Sequence, residues 1–486
     1  MTDANADAGT KRPFPRSFWT ANVTELFERG AYYAVASFIV IYLTRLGLGD
    51  YWPSTLNGLL WGIVYFLPIL SGTIADQVGF KKALLVAFVL LAIGYFAMGF
   101  PVWFLGAELN EVTKTIVSCD EVKTAQFTAG ADVLLPVFLG ILLIGIGGSV
   151  IKPCISGTVQ KTAGFVGRAT LGFGIFYMVI NIGSIAGRFA SLGIRTHFGL
   201  SFIFLVAVAF SIVAFIAVAL LYTDPEKERG ESADAKPKKS VGRILADMVL
   251  VLKNKRFALF LLVSSGFFFL YAQVYNVIPL YLEKVVEVKP PVDVYTLANP
   301  ITIVCFQLLI THLFGKLKPI NSIIVGIIII GLSMAINVLP IFFAEGVWGK
   351  VDVWIAVIPV GSLFLTLTVS LVAFGELFTS ARTYEYIGAL APKGQEGLFL
   401  GYANLPMAIG AIIGGPVGAF IFNEIMLRDA PERTPPDCLF KINPTWAAIG
   451  WLVLMAIGFA SALSMWLYNR WIRKVTAREG AAAAEG

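Results

Sequence analysis

Long apolar runs separated by short polar breaks dominate the chain. Runs such as 84–106, 200–221 and 321–343 approach or exceed the roughly 20 residues that a helix needs to cross a bilayer. Because a backbone in lipid must satisfy its hydrogen bonds internally, these runs predict helices. The pattern predicts twelve spans, at about 18–45, 53–75, 82–104, 132–153, 171–194, 200–222, 256–282, 296–315, 321–343, 353–380, 397–425 and 445–471.

One polar break is much longer than the others. Residues 223–243 read TDPEKERGESADAKPKKSVGR, which has almost nothing to bury. This break predicts an all-α membrane protein whose twelve transmembrane helices form two six-helix bundles, the layout that resembles transporters of the major facilitator superfamily. The predicted segments are a cytoplasmic tail at 1–17, an N-terminal bundle at 18–222, a cytoplasmic linker at 223–255, a C-terminal bundle at 256–472 and a cytoplasmic tail at 473–486.

The charges orient the chain in the membrane. Charged residues make up only 14% of the sequence, against about 25% in soluble domains. Placing the N-terminus in the cytoplasm puts 24 of the 37 Lys and Arg residues on the cytoplasmic side and 10 outside. We therefore expect a multi-pass protein of the plasma or inner membrane with both termini cytoplasmic. The net charge of +6 is explained by this bias, so no nucleic-acid partner is expected.

The sequence encodes no local metal, redox or nucleophilic motif. Its four cysteines lack a C-x-x-C spacing, it has two histidines, and it contains no phosphate-binding glycine loop. We expect neither a cofactor nor enzymatic activity. Cys119 and Cys438 fall in predicted outer loops, and a disulfide between them stays open as a possibility.

The first span carries three ionisable groups. Such groups cost roughly 2.5 to 3.5 kcal/mol each on insertion scales, so their presence indicates a functional site. In TELFERGAYYAV, Glu25 and Arg29 are four residues apart, and so are Glu28 and Tyr32, and Arg29 and Tyr33. This spacing puts carboxylate, guanidinium and phenol groups close together on the helix.

A second cation is expected beside this helix. Glu25 and Glu28 cannot both ionise comfortably next to one Arg29 in a low dielectric. Lys152, in GIGGSVIKPC at the end of the fourth span, is the obvious supplier of that charge. An ion network that only fixes helix packing remains the alternative.

The same residues carry a family resemblance. Glu25-x-x-Glu28-Arg29-x-x-Tyr32-Tyr33 is similar to the E-x-x-E-R-x-x-Y-Y signature of the proton-dependent oligopeptide transporters. Further similar segments follow in chain order, at Val64-Tyr65-x-x-Pro68, Gly147-Gly148-x-x-Lys152-Pro153, Phe176-Tyr177-x-x-Ile180-Asn181-x-Gly183-Ser184, Asn299-Pro300 and Glu376-Leu377. The Gly72-to-Lys82 loop resembles a loop of the major facilitator superfamily as a whole, in which Asp76 would help to hold one conformational state closed.

The resemblance implies a symporter that imports di- and tripeptides with protons by alternating access, working as a monomer in the lipid bilayer. Glu376 would receive the peptide amine, and Arg29 and Lys152 its carboxylate. Proton coupling would involve Glu25, Glu28, Arg29, Lys152 and Glu376. The implied substrate-binding residues are Arg29, Tyr32, Tyr33, Tyr65, Lys152, Asn181, Gln273, Asn299 and Glu376.

Several positions depart from the family pattern. Ala36 stands where many members have an Arg, Ala272 where a carboxylate often precedes Gln273, and Ala403 where a Trp is common. A proton-coupled carrier of another anionic or zwitterionic solute, such as nitrate, an amino acid or a peptide-like metabolite, therefore remains the main alternative, followed by a non-transporting sensor. Arg188 is expected to snorkel, with a gating role as the alternative.

Overall fold

The structure of the chain, a computed structural model, is almost entirely helical where it is described. It describes residues 13–109, 127–166, 169–228, 250–354, 356–390, 402–430 and 439–485, together with Gly242 and Phe399.

The described chain up to Glu228 contains nine α-helices. They are α1 (Arg16–Ala36), α2 (Ile39–Arg45), α3 (Trp52–Phe66), α4 (Pro68–Val78), α5 (Phe80–Phe104), α6 (Ala131–Phe165), α7 (Ala169–Phe198), α8 (Ile203–Leu221) and α9 (Pro225–Glu228). In this first half, α1 packs against α7 and α8, and α5 packs against α6 and α8.

The second half contains eight further helices and one small hairpin among the described residues. They are α10 (Lys255–Ala272), α11 (Val277–Tyr281), α12 (Val292–Thr296), α13 (Ala298–Phe314), α14 (Pro319–Ala335), α15 (Val360–Leu390), α16 (Leu405–Phe420) and α17 (Pro444–Glu485), with strands β1 (Lys350–Asp352) and β2 (Val357–Pro359). Here α14 packs against α15 and α17, and α10 packs against α16 and α17.

The predicted number of spans agrees with the structure. Ten helical runs in the described chain are long and apolar enough to cross a membrane, and two bent pairs bring the number to twelve. The pairs are α1 with α2, bent by 42°, and α3 with α4, bent by 41°. The second bend lies at Pro68, where the missing N–H and the proline ring interrupt the helical hydrogen bonds.

The tenth predicted span begins later than expected. Residues 353–359 do not start the helix, because Lys350–Asp352 pairs with Val357–Pro359 as an antiparallel hairpin. Asp352 accepts a hydrogen bond from the Trp354 N–H at 2.8 Å, which favours a turn over a helix start. The helix α15 begins only at Val360.

The start of the predicted linker is attached to the helix ends beside it. Glu228 accepts hydrogen bonds from the backbone N–H groups of Arg16 and Ser17 at the start of α1, and Asp224 accepts one from Lys81 N–H at the start of α5. Anionic groups at helix N-termini satisfy free N–H donors and complement the helix dipole. Most of the remaining linker lies outside the described residues, so its extent stays a prediction.

The two halves meet closely along α3 and α16. A Cβ atom on Gly58 would lie 2.5 Å from the carbonyl oxygen of Ala411, so only glycine fits at this crossing. Small residues allow such close helix approach in membranes. The contact brings one helix of each half close together.

Candidate functional site

The α1 charges form a buried cluster. Glu25 and Glu28 are each 2% exposed and Arg29 is 5% exposed. The Arg29 Nη2 donates to Glu28 Oε1 at 2.7 Å, and its Nε also bonds the other Glu28 oxygen. Glu25 Oε1 lies 3.3 Å from Arg29 Nε. The predicted carboxylate and guanidinium arrangement on one helix is therefore present.

The two carboxylates are not equivalent. Both oxygens of Glu28 are bonded by Arg29, whereas Glu25 Oε2 is buried with no hydrogen-bond partner among the described residues. The Glu25 oxygen that accepts no hydrogen bond can carry a proton without breaking a contact, whereas a proton on Glu28 would compete with a hydrogen bond from Arg29. Of the two, Glu25 is the better placed to take up a proton.

Lys152 joins the cluster in an unexpected way. Its Nζ lies 4.0 Å from the centre of the Tyr65 ring, and it forms no ion pair with a described residue. The structure thus has Lys152 near the α1 carboxylates, as expected, but without a direct ion pair to them. Lys152 still interacts electrostatically with Glu25, Glu28 and Glu376. Its ammonium is held by a ring face and long-range attraction, which leaves its donors available.

Glu376 supplies the matching anion from the second half. It lies on α15, and the side chains of Asn299 and Tyr271 interact with it. Its Oε2 is buried without a hydrogen-bond partner in the described chain. The electrostatic interaction of Glu376 with Lys152 joins the two halves. The expected fixed anion thus lies opposite the fixed cations.

An aromatic cage surrounds these charges, and the sequence did not predict most of it. The Trp61 ring lies 5.0 Å from the Tyr275 ring and 6.1 Å from the Tyr271 ring, centre to centre. It also lies 5.9 Å from Tyr65 and 6.3 Å from Tyr32. The spacings of four residues from Trp61 to Tyr65 and from Tyr271 to Tyr275 were the available signal. We name Tyr32, Trp61, Tyr65, Tyr271 and Tyr275 the aromatic cage.

Of the remaining predicted site residues, one approaches the charged groups and two bond to helix backbone. Asn299 approaches Glu376, and Asn181 is 5% exposed and donates to the Tyr177 carbonyl within its own helix. Gln273 is completely buried, and its amide donates to the carbonyls of Phe269 and Gly414. The contacts of Gln273 are those of a residue that packs α10 against α16.

Arg188 does not snorkel, so that prediction is wrong. It is 1% exposed, and its Nε donates to Thr296 Oγ1 at 3.1 Å while its Nη2 donates to Tyr275 OH at 3.3 Å. Both partners belong to the second half. A helix-internal position facing the other half, and not the lipid, explains why the side chain stays inside.

Ion pairs join the halves at one end of the molecule, which we name the outer end from the predicted orientation. They are Arg45 with Glu283, Lys284 with Asp50 at 2.6 Å, and Arg195 with Asp293 at 2.8 Å. Near the level of Ala36, the halves are joined by neutral groups, because Ser37 Oγ lies 2.9 Å from Thr296 Oγ1. These contacts hold the outer ends of the halves together.

The described residues contain no group of three or more His, Cys, Asp or Glu side chains that could hold a metal ion. The Asp76 side chain, Cys119 and Cys438 lie outside the described residues. The proposed roles of that aspartate and the disulfide therefore stay predictions.

Comparisons with known proteins identify the superfamily. Residues 122–383 match the family model of the Major Facilitator Superfamily. The chain is 23% identical to dipeptide and tripeptide permease B of Shigella dysenteriae, over 87% of this chain and 90% of that protein. It is 24% identical to dipeptide and tripeptide permease A of Erwinia pyrifoliae, over 91% and 93% of the two chains.

The fold also matches solved structures. A crystal structure of a POT family transporter in complex with 5-aminolevulinic acid superposes with a TM-score of 0.70. It shares 17% sequence identity and covers 94% of this chain and 97% of that chain. The predicted fold of two helical bundles is confirmed.

Proposed function

The chain belongs to the Major Facilitator Superfamily, and we propose that, like the peptide permeases it resembles, it is a proton-dependent oligopeptide transporter that imports di- and tripeptides together with protons by alternating access. It is a multi-pass membrane transporter and not an enzyme. We further propose that it works as a monomer in the plasma or inner membrane with both termini in the cytoplasm.

The placement of opposite charges on the two halves carries the proposal. A short peptide has a cationic amine and an anionic carboxylate a few ångströms apart. Arg29 and Lys152 belong to the first half and Glu376 to the second, and Lys152 and Glu376 attract each other across the boundary. A zwitterion inserted between them would satisfy both sides, its carboxylate on the cations and its amine on Glu376.

The aromatic cage suits the rest of the peptide. Its rings are large apolar surfaces with phenol groups at their edges, so they can pack against different side chains and still bond the peptide backbone. Tyr32 OH is buried without a hydrogen-bond partner among the described residues. Broad tolerance of peptide side chains is the expected result.

Proton coupling follows from the sharing of Arg29. Glu28 holds the guanidinium through two hydrogen bonds, and Glu25 adds a longer contact. Two carboxylates, those of Glu25 and Glu28, now contact the Arg29 guanidinium. A proton on Glu25 would neutralise one of them, so that the guanidinium could bind a peptide carboxylate more strongly. Peptide and proton would then favour each other's binding, as thermodynamic linkage requires.

Alternating access would use the contacts between the halves. The ion pairs at the outer end close the site from that side, and the close crossing of α3 and α16 holds the halves together beside it. Breaking the outer pairs would let the halves rock around the charged cluster. This is the general motion of transporters built from two bundles.

Uptake into proteoliposomes tests the proposal. With an inward proton gradient, the wild type should accumulate labelled dialanine, and Glu376→Gln should lose most of that uptake. Glu345→Gln, which changes an exposed loop carboxylate, is the matched control and should accumulate dialanine normally. Thermal melts with added solutes test the alternative. If nitrate or a free amino acid stabilises the wild type and no dipeptide does, the transported substrate is that other solute and not a peptide.

A further inference from the structure

Arg188 on α7 is a buried cation that the peptide mechanism above does not use. Its guanidinium is 1% exposed and lies 4.5 Å from the centre of the Tyr33 ring. Tyr33 follows Tyr32 on α1 and lies four residues after Arg29. Arg188 therefore lies next to the helix that carries the proposed carboxylate site.

The hydrogen-bond partners of Arg188 are all neutral. They are Thr296 Oγ1, Tyr275 OH, and the hydroxyl and carbonyl oxygens of Ser184. No carboxylate of a described residue lies within ion-pairing distance of it. A guanidinium has five donors, of which these contacts use four, and it does not lose its proton in proteins. Arg188 is thus a buried cation that no described carboxylate contacts directly.

Arg188 lies where an anion bound in the aromatic cage could reach it. Tyr275, which accepts from Nη2, is a wall of the aromatic cage and lies 5.0 Å from Trp61, ring centre to ring centre. A carboxylate in the cage could replace this phenol and Thr296 as the acceptor for Arg188. The exchange would trade neutral acceptors for a charged one, which makes shorter and stronger hydrogen bonds.

Charge balance indicates which peptide would do this. The cations of the buried region are Arg29, Lys152 and Arg188, and the acids are Glu25, Glu28 and Glu376. A zwitterionic peptide supplies one carboxylate, which Arg29 and Lys152 would bind. When Glu25 carries the coupling proton, the three cations face two ionised acids, and a zwitterionic peptide leaves this excess of one positive charge unchanged. A peptide with one additional carboxylate brings the sum to zero, and Arg188 is the cation without a carboxylate partner among the described residues.

Building on the proposed function, we propose that Arg188 forms a second anion subsite, which binds the side-chain carboxylate of an acidic peptide. The transporter then prefers net-anionic dipeptides to zwitterionic ones. Arg188 is in this view a specificity-determining residue, because the peptide main chain is recognised elsewhere in the site.

The test compares Ala-Glu with Ala-Gln, which have nearly the same shape but differ in charge at pH 7. Each peptide competes with labelled dialanine for uptake by the full-length protein in proteoliposomes. In the wild type, Ala-Glu should compete at a concentration about tenfold lower than Ala-Gln, the gain expected of one charge-assisted contact. Arg188→Gln should remove this preference by weakening Ala-Glu, and Arg188→Lys should keep most of it.

Arg195→Gln is the control for variants that only weaken the contact between the two halves at the outer end. It breaks the pair with Asp293 and should weaken both peptides alike, with their ratio unchanged. An Arg188→Gln variant that weakens both peptides equally would show that Arg188 only holds the halves together, and the inference would fall. If neither Arg188 variant folds, the wild-type ratio decides, and a ratio near one overturns the inference.

Binding of Ala-Gln by the wild type separates the two proposals. A wild type that binds Ala-Gln without preferring Ala-Glu overturns the subsite alone and leaves peptide transport intact. A wild type that binds neither peptide overturns the proposed function, and the subsite with it.

Discussion

The ammonium of Lys152 lies on the face of the Tyr65 ring, with Nζ 4.0 Å from the ring centre. The lysine comes from α6 and the tyrosine from α3, so the contact fixes a charge between two helices of the first half. Because a ring face accepts no ordinary hydrogen bond, the N–H donors of Lys152 stay available for a substrate carboxylate. Glu25, Glu28 and Glu376 attract it from farther away.

Removing the Tyr65 ring should weaken peptide binding. In Tyr65→Leu the ammonium loses its ring face, an interaction of about 0.5 to 2 kcal/mol, and the KM for dialanine should rise several-fold. Tyr65→Phe keeps the ring and loses only the hydroxyl group, which hydrogen-bonds with Arg29, so its KM should rise less than that of Tyr65→Leu. Uptake kinetics in proteoliposomes give both values. Equal defects in the two variants would assign the role of Tyr65 to its hydroxyl group instead.

Substitutions of Glu25 and Glu28 should impair transport in different ways. Glu25→Gln removes the carboxylate that has a free buried oxygen, so gradient-driven accumulation should be lost while exchange of labelled for unlabelled peptide continues. Glu28→Gln removes the bidentate partner of Arg29, and breaking such a buried pair costs about 3 to 5 kcal/mol, so both activities should be lost. Accumulation in the Glu25 variant, or exchange without accumulation in the Glu28 variant, would reverse the assignment.

Exchanging the charges of Lys284 and Asp50, an ion pair at the outer end, should restore the uptake that is lost when only one of them is reversed. Lys284→Asp puts two carboxylates together in a place where the side chains are 8% and 20% exposed, which should open the outer end and reduce uptake. Adding Asp50→Lys should restore uptake, with a coupling energy of about 1 to 3 kcal/mol in a double-mutant cycle of thermal stability. Lys350→Asp, on the exposed β1 strand, is the control and should have little effect. Strictly additive effects would mean that the pair does not hold the halves together.

Glu287 should make stability depend on pH. It lies just after the span that ends at Val286, and burial raises the pKa of its carboxyl above the ordinary value of 4.5, although hydrogen bonds with Tyr295 and Ser362 oppose the shift. As pH rises, the unfolded chain loses this proton first, so the folded state binds more protons and its stability falls until the pH passes the raised pKa.

Glu287→Gln cannot ionise and should escape this loss. The melting temperature of Glu287→Gln minus that of the wild type should therefore increase as the pH rises from about 4 to 7, a range that begins near the ordinary carboxyl pKa. The side-chain oxygen of Gln can still accept the Ser362 hydrogen bond, so the packing is preserved. Thermal melts of the purified protein measure the difference. A difference that does not change with pH would contradict the raised pKa.

The fold could be predicted from the sequence because each span carries its own signal. A helix in lipid must be about 20 apolar residues long, and the polar breaks mark where it ends. The exceptions depend on local chemistry that hydropathy does not see. The bend at Pro68 leaves the apolar run uninterrupted, and the hairpin before Val360 depends on the Asx-type bond from Asp352.

The site could be predicted where its residues share a helix and not where they meet across helices. Helical spacing alone brings Glu25, Glu28 and Arg29 together, and the structure has them bonded. The Lys152 contact with Tyr65 and the bonds of Arg188 to Tyr275 depend on how separate helices are rotated against each other. Apolar helices of this kind give no sequence signal for that rotation.

Peptide-induced proton movement measures the central proposal most directly. The full-length protein is reconstituted in liposomes that contain a pH-sensitive dye, a membrane potential negative inside is set with potassium and valinomycin, and dialanine is added outside. Coupled import predicts that the lumen acidifies when dialanine is added, at a rate that follows peptide uptake and is abolished by Glu25→Gln. Dialanine uptake without any acidification, or with no dependence on the proton gradient, would contradict it.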